Sequence, residues 1–587
     1  MQAPREDGQT LFEPAPEQTG ELIADNVALR EGRDYDVQGR PLGELIRRAR
    51  IELLHAARRY TAGYRDIRRD AHGATERPIL LAGHQPELFH PGVWLKNFAL
   101  GRLAECHGAT AVNLLIDNDT LRETTVRVPS GSRRKPRFVS VAFDRPGPVV
   151  PYEQRSVLDW RLFRRFGDQA AEQIAPFVGD PLVEDYWPLA VARAEETGNL
   201  GLGLAQARHL LEDRWGLETL EVPQSVICGM ESFRWLLAHL LANLPRLIEV
   251  YNDVVHEYRR RHGIRGQAHP VPDLSTDGGW LEAPFWVWTA NDPRRRALLA
   301  RYDNDRIELG DGSGLRLALP LTPEGNAADA VDRLGELAAR GVKIRSRALT
   351  TTLWARLALG DLFIHGIGGA KYDELTDTLI ERFFDLKPPR FMVASATLHV
   401  VGGKPRADAR RIRDLKQQLR RLTYQPERFL GDNGQEAHTG GFSPRGNQGS
   451  AERAAVTRDG RPSLPAGRQP DSQSPTSVEH ERVDDSVEKL RAEKARLLAT
   501  PQTAENARWR CRNIRRVNEL LQPYVDPLRE ETREQLRAAE YRCRADRVLR
   551  WRELAFCLHS RERIRDFLSQ ALPIADAACS NNGHGRH

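Results

Sequence analysis

The stretch that decides the fold reads Pro78-Ile-Leu-Leu-Ala-Gly83-His84-Gln85-Pro86-Glu87-Leu88-Phe89-His90-Pro91-Gly92. It continues through Val93-Trp-Leu-Lys96 to Ala111-Val-Asn-Leu-Leu-Ile-Asp117-Asn118-Asp119. A short apolar run, a loop rich in Gly, Pro and His, an amphipathic segment and a second apolar run follow one another. This order is typical of the strand, loop, helix and strand from which parallel sheets are built. Functional groups gather at the carboxyl ends of such strands, and both polar clusters of the stretch fall there.

A second stretch repeats this order further along the chain. It reads Asp361-Leu-Phe-Ile-His365-Gly366-Ile-Gly368-Gly369-Ala370-Lys371-Tyr372-Asp373-Glu374-Leu375, an apolar strand, a Gly-rich turn and the start of a helix. A Gly-rich turn of this kind directs backbone N–H groups and the positive end of the helix dipole toward an anion. We expect the two loops to face each other across one cleft.

Length and composition exclude several classes of protein. The 587 residues leave room for more than one domain, and the hydrophobic content of 40% predicts some disordered segments. The net charge of +6 is small for this length and gives little support to nucleic-acid binding. No uncharged apolar run reaches the ~18 residues that cross a bilayer, and the N-terminus lacks the apolar region of a signal peptide. We therefore predict a cytoplasmic protein with no membrane partner.

The cysteines predict neither a zinc site nor a disulfide framework, because they form no C-x-x-C pair. The six residues are Cys106, Cys228, Cys511, Cys543, Cys557 and Cys579. A reduced cytoplasm is the simplest interpretation, and no metal site is assigned.

Periodicity and composition divide the chain into segments. The predicted segments are an extended or disordered arm at 1–40, a helix packed on the core at 41–76, an α/β core with helical and β insertions at 77–403, a helical coiled-coil region at 404–430 and 483–570, a disordered insertion at 431–482 and a flexible tail at 571–587. Pro523 and Pro527 are expected to interrupt the last helices. Charged helices with narrow apolar seams are typical of coiled coils, so we predict a homodimer through the C-terminal helices.

Histidines and carboxylates in the two stretches are the candidate catalytic groups. His84 and His90 are candidates for acid/base chemistry on a small-molecule substrate, since imidazole gains and loses its proton near neutral pH; loop-capping or core histidines are the alternative. Asp117, Asn118 and Asp119 follow a strand and can bind an amine or a metal, or cap a helix before Leu121. The catalytic candidates are His84, His90, Asp117, Asp119 and Lys371.

The glycines and the remaining polar groups of both loops are candidate anion-binding residues. They are Gly83, Gln85, Gly92, Lys96, Asn118, His365, Gly366, Gly368 and Gly369. A histidine after an apolar strand, as at His365, is also common as a structural group. Neither loop matches the phosphate loop that ends in Gly-Lys-Ser/Thr or the dinucleotide fingerprint G-x-G-x-x-G, so kinase and dehydrogenase functions lack their main signal.

The first loop resembles a motif of known nucleotidyltransferases. Gly83-x-x-Pro86-x-x-Phe89-His90-x-Gly92 is similar to the G-x-F-x-P-x-H-x-G-H loop of the class I aminoacyl-tRNA-synthetase-like superfamily. One more residue precedes the histidine here, and Val93 stands where that motif has its final histidine.

A longer resemblance is to the bacillithiol-biosynthesis cysteine-ligase family. It is carried by the order Gly83-His84-Gln85, Gly92 and Lys96, and by the later turn within Leu359 to Glu374. The resemblance implies a nucleotidyltransferase-like Rossmann core followed by a coiled coil that pairs subunits. It also implies condensation of cysteine with the amine of a glucosaminyl malate, in a pocket at Gly83, Gln85, Gly92, Lys96, Gly368 and Gly369.

Three functional hypotheses follow. The first is a ligase-like enzyme that joins an amine-bearing small molecule to an amino acid such as cysteine, in a cleft between the two Gly-rich loops. The second is an ATP-dependent nucleotidyltransferase, the one case in which ATP and Mg²⁺ are expected as cofactors. The third is a non-catalytic dimeric interaction protein that acts through its coiled-coil arms. The fold class common to all three is α/β, with a Rossmann-like parallel-sheet core and a C-terminal helical arm.

Overall fold

The structure, a computed structural model, describes residues 2–32, 34–67, 77–266, 268–303, 305–403, 409–430 and 477–571. The chain forms two compact units. One comprises Met1–Lys404 together with Arg547–His587, and the other comprises Pro405–Asp546. Residues 431–476 of the predicted insertion at 431–482 and residues 572–587 of the predicted tail at 571–587 lie outside the described residues.

The strands and helices have the following bounds. The strands are β1 Thr10–Glu13, β2 Ile79–His84, β3 Thr110–Leu115, β4 Thr125–Ser132, β5 Lys135–Ala142, β6 Leu220–Pro223, β7 Thr276–Asp277, β8 Trp280–Thr289, β9 Arg296–Asp303, β10 Arg306–Gly310, β11 Arg316–Leu319, β12 Val342–Ser346, β13 Leu362–His365 and β14 Met392–Ala396. The helices are α1 Thr19–Glu31, α2 Leu42–Ala62, α3 Pro91–Cys106, α4 Trp160–Ile174, α5 Val183–Thr197, α6 Leu200–Arg214, α7 Gln224–Ile227, α8 Glu231–Ala242, α9 Leu244–His262, α10 Ala328–Ala339, α11 Ala348–Trp354, α12 Ile367–Phe384, α13 Ala409–Tyr424, α14 Ser477–Ala499, α15 Ala507–Leu549 and α16 Arg561–Gln570.

The main sheet confirms the α/β fold class and the predicted strands of both stretches. Its order is β1-β14-β13-β2-β3-β6, and every neighbouring pair is parallel except β1 with β14. The apolar runs are continuous because both faces are covered: Leu80 and Ala82 pack on one side, Ile79 and Leu81 on the other. Of the helix predicted at 41–76, the part at Leu42–Ala62 is present as α2, which packs on this core through Leu45 and its neighbours. The helix ends at Ala62, and residues 68–76 lie outside the described residues.

The strand order places the two Gly-rich loops side by side. From β2 the chain passes through α3 to β3 on one side, whereas from β13 it passes through α12 to β14 on the other. β2 and β13 are adjacent and parallel, with Leu80 opposite Leu362 and Ala82 opposite Ile364. The loops that follow them therefore start at neighbouring strand ends, at the point where the sheet reverses its direction of growth. Crevices in open parallel sheets form at this point.

The prediction of an extended or disordered arm at 1–40 is wrong. Residues 10–13 form β1, which adds an antiparallel edge strand to β14, and residues 19–31 form α1. Leu22 and Ile23 of α1 are buried against the sheet. These few apolar positions sit among polar residues, so their burial depends on a sheet edge and a helix surface contributed by distant parts of the chain.

The β insertion that the sequence predicts within 77–403 forms a second sheet, the meander sheet, with order β11-β10-β9-β8-β12 and antiparallel pairing throughout. Phe285 and Trp288 of β8 are buried, whereas Trp286 is partly exposed. A separate hairpin, β4 with β5, follows the Asp117–Asp119 turn.

The second unit is helical, as the sequence predicts for 404–430 and 483 onward. Val487, Leu497, Val517 and Leu521 form its apolar cluster. α15 continues through Pro523 and Pro527 without a break, contrary to the expected interruption, and both prolines lie on its exposed side. Helix α14 already begins at Ser477, within the segment that was predicted to be disordered to 482.

The assignment of all residues up to 570 to a coiled-coil region is also wrong. Residues 547–571 belong to the α/β unit, where the side chain of Phe556 packs against Trp94, with ring centroids 4.5 Å apart, and against Tyr186. Short apolar segments such as Leu554 to Leu558 are buried here by α3 and α5, which lie far away in sequence.

Two further features concern the hydropathy of the helices and the state of the cysteines. No helix in the described part of the chain combines the length and the apolar character of a bilayer-spanning segment. Cys106 takes part in a disulfide bond, whereas Cys228, Cys511, Cys543 and Cys557 are free thiols.

Candidate functional site at the carboxyl ends of the parallel strands

His84 lies at the end of β2 and is the partly exposed histidine of the first loop. Its Nδ1 lies 3.1 Å from the Gln85 carbonyl oxygen, to which it donates when protonated, and its Nε2 lies 4.0 Å from a carboxylate oxygen of Glu87. Burial, followed by the positive charge of Lys96, lowers the pKa of His84 to about 3. The imidazole is therefore neutral at pH 7 and offers Nε2 as a hydrogen-bond acceptor.

His90 occupies a different position, at the start of α3. Its Nδ1 accepts a hydrogen bond from the Gly92 backbone N–H at 3.0 Å, so it caps the helix. Burial and the charge of Arg552 lower the pKa of His90 to about 3. Of the two alternatives that the sequence leaves open for His90, these contacts favour the loop-capping one.

Lys96 lies beneath the first loop. Its side chain is almost fully buried, and its ammonium group donates to the carbonyl oxygen of Gly83. Burial and then Arg208 lower the pKa of Lys96 to about 7. The cation that the sequence assigns to anion binding is thus directed at the backbone of the loop, which it holds in place.

The start of α12 is open, in contrast to the capped start of α3. Gly366 occupies the N-cap position without a side-chain cap, and Gly368 and Gly369 are exposed. A Cβ atom on Gly366 or Gly368 would meet no atom within 4 Å. Lys371, one turn into the helix, is exposed and forms no ion pair with any described residue. Free N–H groups and the positive end of the helix dipole meet here, one turn before the exposed Lys371, and such a helix start binds phosphate or carboxylate groups.

His365 is fixed below this turn. Its Nε2 lies 2.7 Å from a carboxylate oxygen of Asp373, which also accepts a hydrogen bond from Arg356 at 2.7 Å. Burial raises the pKa of Asp373, but the charges of His365 and Arg356 hold it well below its usual range. All three side chains are buried, so they tie β13 to α12 and do not face a ligand.

The three polar residues after β3 have separate roles. Asp117 is buried and accepts hydrogen bonds from the backbone N–H and the hydroxyl group of Ser225, while Asn118 donates to the carbonyl oxygen of Ser346 at 2.8 Å. Burial and the charge of Glu153 raise the pKa of Asp117 to about 7. No helix begins near Leu121, so the capping alternative is wrong.

Asp119 is the partly exposed member of this turn. Its carboxylate accepts hydrogen bonds from the side-chain amide of Gln85 and from Arg295, both at 3.1 Å. It thereby connects the ends of β2 and β3 with the meander sheet. A carboxylate in this position can hold the ammonium group of a substrate.

Sequence reasoning missed several charged groups around Asp119. Burial and the charge of Asp119 raise the pKa of Glu87, which Arg122 partly offsets. Arg295 and Arg347 lie against the ring of Trp286, with guanidinium carbons 4.5 and 4.1 Å from the ring centroid. The closely spaced aromatics of β8 were the one available signal, since the arginines approach Trp286 only after the meander folds against the main sheet.

A buried cluster behind α3 has the residue types and spacing of a metal site. His209, Glu212 and Glu221 are all buried, with potential ligand atoms within 4.8 Å of one another. The guanidinium group of Arg208, however, donates to both carboxylates. Because this fixed cation already balances the two acids, the cluster is better explained as a structural ion network than as a metal centre.

A cavity of about 640 Å³ opens at the opposite edge of the main sheet. Thr110 and Thr219, at or near the first residues of β3 and β6, line it together with Arg65 and Arg102. None of the candidate residues from the sequence lies in this cavity, so the candidate site stays at the carboxyl edge.

Comparisons with protein families and with curated proteins add no relative. No protein-family model matches the chain, and no curated protein matches it significantly. The functional assignment therefore rests on the residues and their geometry.

Proposed function

We propose that this protein is a ligase-like enzyme that joins an amine-bearing small molecule to an amino acid such as cysteine. In this proposal the main sheet is a Rossmann-like core of the nucleotidyltransferase type, and the substrates meet in the crevice between the ends of β2 and β13. The observation that carries the proposal is the open start of α12 beside the end of β2.

Each side of this crevice suits one kind of substrate group. On the α12 side, the N–H groups at Gly366 to Gly369 and the ammonium group of Lys371 bind a phosphate or a carboxylate. On the β3 side, the carboxylate of Asp119, held by Gln85 and Arg295, binds an ammonium group. A substrate pair that presents both an acid and an amine matches this distribution of charge.

His84 orients the amine in this scheme. An amine attacks a carbonyl carbon only after it has lost a proton, and the neutral imidazole of His84 presents Nε2 as the acceptor of a hydrogen bond from that amine. The bond that forms is an amide, the bond that breaks is a C–O bond of the carboxylate, and the departing oxygen leaves as water with the two protons that the ammonium group loses. Asp117, Lys96, His90 and His365 position the two loops and do not contact the substrate.

The second candidate is ATP-dependent nucleotidyl transfer with Mg²⁺. It is favoured by the same open helix start, because nucleotide phosphates bind at such a point in open α/β sheets. A homodimer formed through the C-terminal helices accompanies either enzymatic proposal. The third hypothesis, a non-catalytic interaction protein, uses those helices alone.

The deciding experiment incubates the full chain with cysteine and glucosaminyl malate, with and without ATP and Mg²⁺. Mass spectrometry would reveal a product lighter than the two substrates together by one water molecule. Pyrophosphate release in place of this product supports nucleotidyl transfer. Absence of product and of nucleotide turnover, together with a melting temperature that no substrate raises, contradicts both enzymatic proposals.

A further inference from the structure

The helical unit carries a basic groove that the proposed function does not use. The groove has a volume of about 820 Å³ and lies along α13 and the turn that follows it. It is lined by Lys416, Gln417, Arg420, Arg421, Tyr424, Gln425 and Arg428. Residues 409–430 contain seven Lys and Arg residues and two Asp and Glu residues. Positive charge is therefore concentrated in this segment, although the net charge of the whole chain is small.

The arginines of the groove are not neutralised by neighbouring acids. Arg420, Arg421 and Arg428 are exposed and form no ion pair with any described residue, whereas Lys416 pairs with Glu540 at 3.0 Å. Exposed like charges repel one another and are stabilised when an anionic ligand binds among them. A row of unpaired guanidinium groups thus favours a ligand that carries several negative charges.

An aromatic ring lies among these charges. Tyr424 is 62% exposed, which is unusual for a side chain of this size, and it follows Arg420 and Arg421 by one helical turn. Lys416 and Tyr424, which both line the groove on α13, are separated by roughly 12 Å along the helix axis at the usual rise per residue. This span matches about four phosphates at the ~3.4 Å spacing of one stacked nucleic-acid strand.

The groove is built on a fixed support. Leu415 and Leu422 are buried on the opposite face of α13, which sets the direction of the basic face. The carbonyl oxygen of Tyr424 accepts a hydrogen bond from the buried ammonium group of Lys494 at 2.9 Å, and that of Leu422 accepts one from Gln522 at 3.1 Å. The backbone beside the exposed ring is therefore held in place.

We propose that this groove binds single-stranded nucleic acid. The arginines contact the phosphates of one strand, and the ring of Tyr424 stacks on a base. Single strands satisfy both features at once, because their backbone is charged and their bases are free to stack. A membrane surface or an inorganic polyanion would use the charges but not the ring.

The test is the fluorescence anisotropy of a labelled single-stranded oligonucleotide titrated with the full chain. We expect binding that weakens with salt. The double variant Arg420→Gln/Arg421→Gln should lose at least tenfold in affinity and show a shallower salt dependence. Tyr424→Ala should lose roughly tenfold with its salt dependence unchanged, because stacking does not release counterions.

The matched control is Arg533→Gln/Arg537→Gln, which removes the same charge from exposed positions of α15 that pair with Glu530. Its affinity should equal that of the wild type. Three outcomes overturn the proposal: no binding by the wild type at low salt, equal losses in the groove and control variants, or an affinity that Tyr424→Ala leaves unchanged. Tighter binding to duplex DNA, polyphosphate or anionic vesicles than to the single strand also overturns it. Circular dichroism of each variant confirms that it is folded.

Discussion

A Cβ atom on Gly92 would overlap the carbonyl oxygen of Ala396, because the first turn of α3 is pressed against the end of β14. The N–H of Gly92 is already bonded to His90. The start of α3 is therefore closed by packing, whereas the start of α12 has open space in front of Gly366 and Gly368. Of the two Gly-rich loops, only the second leaves room for a ligand at its helix.

This difference predicts opposite results for two glycine substitutions. Gly92→Ala should lower the free energy of unfolding by about 1–3 kcal/mol, since the methyl group has no space. Gly368→Ala should preserve or slightly raise stability, because alanine is the better helix former, while it weakens binding of inorganic phosphate. Denaturant unfolding and a phosphate titration measure the two effects. Equal stability losses in both variants would contradict the distinction.

Lys371 should contribute to ligand binding and not to stability. Lys371→Ala is expected to reduce the affinity for the anionic substrate at least tenfold, because it removes a cation from the open start of α12. Its melting temperature should stay close to that of the wild type, since surface substitutions usually change stability by less than about 0.5 kcal/mol. Lys489→Ala, an exposed lysine of α14, serves as the control and should bind normally.

Asp119 should determine the affinity for the amine. Asp119→Asn keeps the shape of the side chain but removes the charge that Gln85 and Arg295 hold in place. We expect the KM for the amine-bearing substrate to rise at least tenfold and the KM for the amino acid to change little. Steady-state kinetics with each substrate varied in turn would separate the two, and an equal rise in both would argue against amine binding at this carboxylate.

Arg208 should contribute strongly to the stability of the fold. Arg208→Met leaves Glu212 and Glu221 buried without their cation, which we expect to destabilise the protein by about 3–5 kcal/mol. Arg164→Met provides the comparison, because Arg164 and its partner Glu195 are both exposed, and such pairs contribute about 0–1 kcal/mol. Urea unfolding of both variants checks this prediction. Similar urea midpoints for the two variants would show that the buried ion pairs stabilise the fold no more than the exposed pair does.

The stability of the α/β unit should fall in acid, in part through His559. Burial and the charge of Arg563 lower the pKa of His559 to about 3, below the ordinary value of 6.5. Between these two values the unfolded chain binds a proton that the folded chain does not. Stability is therefore complete above pH 6.5 and falls as the pH drops toward 3, by up to about 1.4 kcal/mol per pH unit for this group.

His559→Leu tests that linkage. Neither ring nitrogen of His559 has a hydrogen-bond partner among the described residues, so the substitution removes no hydrogen bond to them. Between pH 6.5 and 4.5, the unfolding free energy of the variant should decline less steeply than that of the wild type. The difference between the two slopes should correspond to the uptake of about one proton on unfolding. Unfolding curves at several pH values measure the slope, and identical slopes would exclude His559 as a contributor.

Much of the fold could be predicted from local patterns. The runs at Ile79–Ala82 and Leu362–Ile364 are apolar because a parallel sheet buries both faces of its strands, and this signal is visible in the sequence. Segments such as Leu11 with Phe12, or Leu554 to Leu558, are too short for their sequence to show which elements they pack against. Their burial depends on β14 and α3, which lie hundreds of positions away.

The candidate site, like the fold, could be predicted from the sequence only in part. The sequence indicates that His84, His90, Lys96 and Lys371 belong to two strand-helix loops, but it does not indicate which side chains face outward. In the folded chain, Lys96 donates to the Gly83 carbonyl oxygen and His90 accepts from the Gly92 N–H. Lys371, in contrast, is exposed. Arg295 reaches Asp119 from a different sheet, so no local pattern could have predicted their contact.

The sequence by itself determined the element types of the two Gly-rich stretches, because hydrophobic periodicity and glycine placement act over a few residues. It also determined that two Gly-rich loops would follow parallel strands. Only the tertiary structure decided that β2 and β13 are neighbours, that one helix start is closed and the other open, and which charged groups surround Asp119. The reason is physical: strand order, close packing and the desolvation of charges arise from contacts between residues that are far apart in the chain.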